Sequence, residues 1–339
     1  MIDSTTSSAN QGVWNRASKH SLFRSLQSAI GLVVIFLLAL IVSPRSSSGE
    51  LVFLESGNIT DILRQVSEIG VIALGMTLVI LTAGIDLSVG SILSLSSSIV
   101  AMILTRSEET SIWVIVWAIT AAVGASLAVG LVNGVVIARW RIQPFIVTLA
   151  AMIGIRGLAR WLTSNTNIDI GFGHDRAATF AQSLSTKFVV IGSYALLSVV
   201  LYVLLSKTVL GRQLRAIGDN EKAALYAGLP IIRIKIFVYG MAGLLAGYAG
   251  VLHAAQNHQG SPNAGMSYEL EAIAAVVIGG TSLAGGQGSV GGTLIGTLIM
   301  GVLTNILRLN NIDSNLEMML KAVIIVAAVW IQKRGRDQA

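Results

Sequence analysis

Long apolar runs recur along almost the whole sequence, and they constrain the fold more than any other feature. The chain has 339 residues, of which 53% are hydrophobic and only 12% are charged. A soluble globular domain carries roughly 25% charged residues, so the composition excludes an ordinary soluble protein. Because the apolar runs leave no room for a separate soluble domain, the sequence predicts an integral membrane protein.

The apolar runs delimit ten elements. They are predicted at residues 28–42, 112–138, 145–162, 188–205, 236–253, 270–283, 290–307 and 316–331, with two more inside 69–103. The last stretch is too long for one helix, and its interruption at 83–90 predicts two elements that meet at a broken turn. The predicted fold class is an all-α integral membrane protein with about ten transmembrane or re-entrant helices.

The domain plan that follows has three parts. An N-terminal arm at residues 1–25 precedes one transmembrane domain at 26–332, which contains a basic loop at 207–235, and a tail at 333–339 ends the chain. If ten crossings start from a cytoplasmic N-terminus, the arm, the basic loop, the tail and the pair Arg139 and Arg141 all lie in the cytoplasm. These places hold most of the Lys and Arg, so the positive-inside rule predicts that both termini are cytoplasmic.

The loops on the opposite side are acidic or mixed in charge. Their acidic residues are Glu50, Glu55, Asp61, Glu108, Glu109, Glu269, Glu271, Asp313 and Glu317. One predicted outer segment does not fit the rule, because it is basic. It holds Arg156, Arg160, Arg176 and Lys187.

The basic loop at 207–235 contains the start and stop signals of one short helix. Asp219 is expected to cap its first amides, Gly228 to take the left-handed conformation after the last turn, and Pro230 to prevent continuation. A helix of this length is unstable alone in water. We therefore expect the flanking membrane segments and a docking protein to hold it.

Asp86 is a carboxylate in an otherwise apolar stretch, where it would cost on the order of 3 kcal/mol if unpaired. One interpretation is that the broken turn, with Thr82 and Ser88, lines a transport route and offers acceptors to a hydroxyl-rich solute. The other, compatible with the first, is that Asp86 caps the following helix. His253 and Asn257 are predicted to lie at the mouth of the same route.

Several chemistries are excluded or disfavoured. The absence of cysteine excludes disulfides, thiolate metal sites and cysteine nucleophiles. His253 and His258 are five residues apart without an acidic ligand, which does not predict a metal site. No nucleophile set stands out, and no paired intramembrane acids accompany Asp86, so energy for uphill transport is expected from a partner. The net charge of +6 reflects membrane orientation rather than nucleic acid binding.

Glycine patterns indicate close helix packing. The pairs with four-residue spacing are Gly130 with Gly134, Gly243 with Gly247, and Gly292 with Gly296. Such pairs let helix backbones approach each other in lipid. The segment 286–291 matches the spacing of a dinucleotide fingerprint, but no strand precedes it, so it is interpreted as a connection between helices.

Two motifs resemble those of a known family. The first motif, GMTLVILTAGIDLSVGS at 75–91, and the second motif, VIGGTSLAGGQGSVGGTLIG at 277–296, are similar to permease subunits of ribose-type ABC sugar importers. Residues 143–149 and 211–228 are similar too, and the likeness covers about 71–331. The resemblance implies a multi-pass protein of the bacterial inner membrane that imports a monosaccharide or related polyol and is not itself an enzyme.

The resemblance also implies partners. They are a cytoplasmic ATPase that uses ATP and Mg²⁺, a periplasmic solute-binding protein, a second permease copy (the same chain or a related one) and membrane lipid. This chain itself is expected to bind no cofactor and no metal. Three alternatives stay open: a permease for a non-sugar solute such as a nucleoside, an ion-coupled secondary transporter, and a membrane-embedded enzyme.

The resemblance further assigns a role to the short helix. The pattern Ala223-Ala224-x-x-x-Gly228 is similar to the importer pattern Glu-Ala-Ala-x-x-x-Gly, although Lys222 replaces the glutamate. The helix is thus expected to be a coupling helix that docks on the ATPase. Its predicted coupling residues are Asp219, Asn220, Glu221, Ala223, Ala224 and Gly228. The segment 314–319 lacks the aromatic residue and glutamine of many relatives, which leaves the solute open.

Overall fold

The computed structural model describes residues 28–47, 49–107, 111–171 and 176–337. The predicted arm at 1–25 lies outside these residues, as do Glu108 and Glu109 of the predicted acidic loops. Residues 338 and 339, at the end of the predicted tail, lie outside them as well.

The described residues form helices almost throughout. The helices are α1 (Ser28–Val42), α2 (Ser56–Leu81), α3 (Val89–Arg106), α4 (Ile112–Trp140), α5 (Pro144–Leu162), α6 (Arg176–Ser185), α7 (Lys187–Lys207), α8 (Val209–Asp219), α9 (Glu221–Tyr226), α10 (Ile231–Asn257), α11 (Tyr268–Ile278), α12 (Val290–Leu309) and α13 (Ser314–Asp337). A 3₁₀ turn at Val52–Leu54 precedes α2, and the short strands β1 (Ile168–Asp169) and β2 (Gln259–Gly260) pair antiparallel.

Each of the ten predicted elements coincides with a helix, so the all-helical fold class is confirmed. Seven of the described helices are long and apolar enough to cross a membrane: α2, α3, α4, α5, α7, α10 and α12. With 11 residues, α11 is shorter than the roughly 20 residues that a full crossing needs. The crossing of the membrane by all ten elements stays a prediction.

The sequence placed the start of α2 too late. The helix begins at Ser56 rather than at residue 69, so Asp61 lies in its second turn instead of in an outer loop, and Glu68 lies in its interior. Both carboxylates have partners from other helices, which is why the helix accepts them. Asp61 lies 3.0 Å from Lys187 Nζ, and Glu68 lies 2.7 Å from His253 Nδ1.

Three other acids of the predicted loops also lie in helices. Glu269 and Glu271 belong to α11, and Glu317 belongs to α13. Lys321 Nζ lies 2.8 Å from a carboxylate oxygen of both Glu271 and Glu317, and it is only 8% exposed. The prediction of loops at these three positions was wrong. At Glu271 and Glu317, the buried lysine compensates the charges of the carboxylates.

The glycine pairs pack helices closely, as predicted. In the contact of α4 with α10, Gly130 faces Gly243, and Gly247 faces Ser126. In the contact of α11 with α12, Gly296 lies against the carbonyl of Ala275. A β-carbon at Gly296 would collide with that carbonyl, so only glycine permits this approach.

The segment between α10 and α11 returns along α3. Ser94 Oγ on α3 donates to Pro262 O at 2.7 Å, and Gly265 packs on Gly90 at the start of α3. Arg156 and Arg160 of α5, which did not fit the charge rule, hold this segment. Arg156 donates to Pro262 O at 3.2 Å, and Arg160 donates to Asn263 Oδ1 at 2.8 Å. Their charges thus serve contacts within the chain.

Candidate functional site

The two motifs and the end of α8 meet at one place, which we call the junction and define as residues 81–84, 218–219 and 285–286. Gly286 N donates to Leu81 O at 3.0 Å. Gly218 lies so close to both of these atoms that a β-carbon there would collide with them. Gly285 packs against Ala83 in the same way. Three segments that are distant in sequence therefore touch through their backbones.

A second contact joins the two motifs further along α2 and α12. The hydroxyls of Thr77 and Thr293 are 2.7 Å apart, and both residues are buried. Hydroxyl pairs of this kind hold membrane helices together where lipid offers no partner. The motifs are consequently one packed unit and not two separate loops.

The broken turn is confirmed: α2 ends at Leu81 and α3 begins at Val89. Within it, Asp86 Oδ1 accepts hydrogen bonds from Ser88 N at 2.8 Å and from Ser88 Oγ at 2.6 Å. Asn133 of α4 donates to Ser88 Oγ at 3.0 Å. The Asp86 side chain thus fixes the entry into α3, although it bonds the residue before the helix rather than amides inside it.

The predicted route residues at the broken turn are enclosed by protein in this structure. Asp86 and Ser88 are 0% exposed, and Thr82 is also buried, with its hydroxyl donating to Val79 O at 2.8 Å. All three make hydrogen bonds within the chain. Their contact with a solute stays a prediction.

The short helix α9 is present, but its cap differs from the prediction. Asn220 Oδ1 accepts from Ala223 N at 2.9 Å, so Asn220 is the cap. Asp219 is the last residue of α8, and its carboxylate lies against Gly286 of the junction, where it cannot reach the amides of α9. Gly228 has a φ of +77°, which confirms its left-handed conformation, and Pro230 immediately precedes α10.

The exposed surface of α9 includes two large apolar side chains. Tyr226 is 88% exposed and Leu225 is 52% exposed, whereas Ala224 is only 4% exposed because it packs on the chain itself. Ala223 lies on the exposed side. Ala224, a predicted coupling residue, is thus buried within the chain, and the sequence interpretation did not single out the exposed Leu225 and Tyr226. Two large apolar residues in a short polar loop were the available signal.

An ion pair ties α9 to α10. Lys235 Nζ lies 2.8 Å from both carboxylate oxygens of Glu221. At the other end, Arg215 of α8 donates to Leu205 O at 2.9 Å, and burial lowers the pKa of this guanidinium. The basic loop at 207–235 is thus fastened to α7 and to α10.

A second polar cluster lies near the C-terminal end of α10. His253 Nδ1 is 2.7 Å from Glu68 Oε1, and Gln256 Nε2 donates to Glu68 Oε2 at 3.3 Å. Asn257 Nδ2 donates to His253 O at 2.9 Å. The prediction that no acid accompanies His253 was wrong, since Glu68 does. The sequence did not reveal this acid because it lies 185 residues away from His253. Among the described residues, no group of three or more His, Cys, Asp or Glu is placed to hold a metal ion.

Comparisons with known proteins bear on this architecture. Residues 58–329 match a family model described as the permease component of the branched-chain amino acid transport system. The ribose import permease of Bacillus subtilis is 45% identical over 304 residues, which cover 88% of this chain and 91% of the relative.

Two further relatives are named for other sugars. The L-arabinose ABC transporter permease of Azospirillum brasilense is 37% identical and covers 84% of this chain and 83% of its own length. The D-allose transport system permease of Escherichia coli is 33% identical, with 88% and 90% covered. No solved structure matches the chain.

Proposed function

The chain belongs to the permease family whose model matches residues 58–329. We propose that it is the membrane subunit of an ATP-binding cassette importer for a monosaccharide. Its relatives are named for ribose, L-arabinose and D-allose, which supports a sugar rather than an amino acid as the solute. It is a multi-pass protein of the inner membrane, with seven membrane-capable helices among its described residues. Uptake of each sugar by the reconstituted transporter identifies the solute.

We propose that α9 docks on a cytoplasmic ATPase, which supplies the ATP and Mg²⁺ chemistry of transport. The exposed Tyr226 and Leu225 would enter a groove of the partner, because large apolar side chains exposed on a soluble loop mark interaction sites. This proposal places α9 and both termini on the cytoplasmic side. A periplasmic binding protein would deliver the solute, and a second permease copy would complete the pore.

The junction is the observation that carries the coupling proposal. Movement of α9 displaces Asp219 and Gly218, which touch Leu81 and Gly286 directly. A change in the position of α9 would therefore be transmitted to both motifs through packed backbone rather than through flexible side chains. ATP binding can shift the pore between outward- and inward-facing states only if the docking energy differs between them. A rigid contact of this kind would transmit such a difference from α9 to the two motifs.

We further propose that the cluster around Glu68 contacts the solute during passage. Carboxylate, imidazole and carboxamide groups are suited to sugar hydroxyls, and Asn257 is exposed at the end of α10. The predicted pathway residues His253 and Asn257 both belong to this cluster. In the present conformation, Glu68 bonds both His253 and Gln256, so a solute would have to exchange these bonds for its own.

One observation favours a second candidate function, an ion-coupled secondary transporter. The pair Glu68 and His253 is an ionisable pair between two membrane helices, and such pairs carry protons in secondary transporters. This candidate needs no ATPase. It therefore predicts that an ion gradient alone drives uptake.

Reconstitution into proteoliposomes separates the two candidates. The permease, its ATPase and its binding protein would be offered radiolabelled ribose, L-arabinose, D-allose and fructose separately. We expect uptake of at least one sugar that requires internal ATP and the binding protein and that persists with ionophores. Uptake driven by a proton or sodium gradient in vesicles without the ATPase would overturn the proposal.

A further inference from the structure

Two buried polar atoms at the broken turn have no hydrogen-bond partner among the described residues. They are Asp86 Oδ2 and the hydroxyl of Tyr239 on α10. The two residues are 0% and 1% exposed, so water outside the protein does not satisfy them. Oδ1 of the same carboxylate already takes both bonds from Ser88. A buried polar atom left unpaired is costly, so this arrangement calls for a physical explanation.

Tyr239 reaches the broken turn at Gly84, two residues before Asp86. The Tyr239 hydroxyl lies against the backbone of Gly84, where any β-carbon would collide with it. Gly84 in the first motif therefore makes room for this hydroxyl. A shift of α10, or a bridging water, is what would join the hydroxyl to Oδ2.

Tyr239 also lies one helical turn from the contact with α9. Lys235 precedes it by four residues, so both side chains project from the same face of α10, about 6 Å apart along the axis. Lys235 is bound to Glu221 at the start of α9. One turn of α10 thus separates the proposed coupling helix from the broken turn.

We propose that Tyr239 is a positioning residue that couples α9 to the broken turn; this rests on the proposed function. When the ATPase moves α9, the Glu221–Lys235 pair carries α10 with it. The Tyr239 hydroxyl then engages or releases Asp86 Oδ2, which shifts the start of α3. The two pore states then differ by one hydrogen bond between buried groups. This hydrogen bond changes the coupling free energy between α9 and the pore, and not the free energy of folding or the affinity for the solute.

The test uses Tyr239→Phe in the complete reconstituted transporter with the same four radiolabelled sugars. The amount of sugar imported per ATP hydrolysed should fall about fivefold, because the loss of one net hydrogen bond changes an equilibrium constant by about this factor. The KM for uptake and the rate of ATP hydrolysis should stay at the wild-type values. Asp86→Asn combined with Tyr239→Phe should lower the ratio no further than Tyr239→Phe alone, because both changes act on one bond.

Tyr194→Phe is the matched control, because it removes another buried hydroxyl, one bonded to Thr297 at 3.0 Å and away from α9. It should leave the ratio of sugar to ATP unchanged. A wild-type ratio in Tyr239→Phe, an equal loss in Tyr194→Phe, or additive losses in the double variant would each overturn the inference while the proposed function stands. A wild-type transporter without ATP-driven uptake would overturn both.

Discussion

Replacing Gly228 should uncouple ATP hydrolysis from uptake, because this residue ends α9 in a backbone conformation that L-amino acids disfavour. Its φ is +77°, and the amide of the next residue, Leu229, donates to Ala224 O at 3.1 Å to close the turn. No atom lies within 4 Å of the place where a β-carbon would be added. A substitution there therefore acts through backbone strain alone, without a collision.

The size of this effect follows from the geometry. A non-glycine residue in the left-handed region costs roughly 1–2 kcal/mol, with Asn the best tolerated. Such a cost lowers the population of the correct turn by roughly 5- to 30-fold. Uptake should therefore fall in the order Gly, Asn, Ala and Val at position 228, with Gly228→Asn close to wild type and Gly228→Val lowest.

The assay is sugar uptake and ATP hydrolysis by the reconstituted transporter, with the amount of permease measured in each membrane by immunoblot. Gly192→Val is the matched control, because Gly192 also has open space around it but an ordinary backbone within α7. The control should leave uptake unchanged. Wild-type uptake in Gly228→Val at equal membrane level would refute the reasoning, and so would a loss in Gly228→Asn as large as in Gly228→Val.

Three further changes probe the contacts around α9 and the junction. Glu221→Lys and Lys235→Glu should each lower uptake, and the charge-swapped double variant should recover it; no recovery would show that the ion pair does not link α9 to α10. Thr293→Val should lower stability by about 1 kcal/mol through loss of the hydroxyl pair, as measured by thermal unfolding in detergent, and an unchanged midpoint would contradict this. Gly218→Ala should reduce the folded permease in membranes, because its β-carbon meets backbone atoms; Gly124→Ala, which meets nothing, should not, and equal immunoblot signals from the two variants would argue against a tight junction.

Hydropathy predicted where the helices lie, and it failed where charges are paired inside them. The start of α2 was missed because Asp61, Arg64 and Glu68 interrupt the apolar run. Their acceptability depends on partners such as Lys187 and His253, which are more than 100 residues away. A single sequence does not report such pairings, so the Glu68 cluster could not be found from it.

Local rules performed well at the basic loop, and they erred by one residue at the helix cap. Gly228 and Pro230 were assigned from conformational preference alone, and both lie where expected. Asp219 and Asn220 are adjacent and both suit a helix cap. The junction decides between them, because it holds Asp219 against Gly286. The identity of the cap therefore depends on a tertiary contact, which a rule based on neighbouring residues does not include.

The accessibility of Tyr226 tests the central claim most directly. The chain has no cysteine, so Tyr226→Cys introduces a single thiol at the exposed tip of α9. A membrane-impermeant maleimide should label this thiol in inverted vesicles but not in intact spheroplasts, and bound ATPase should protect it. Labelling from outside intact spheroplasts, or unprotected labelling in a transporter that is actively importing sugar, would contradict the account.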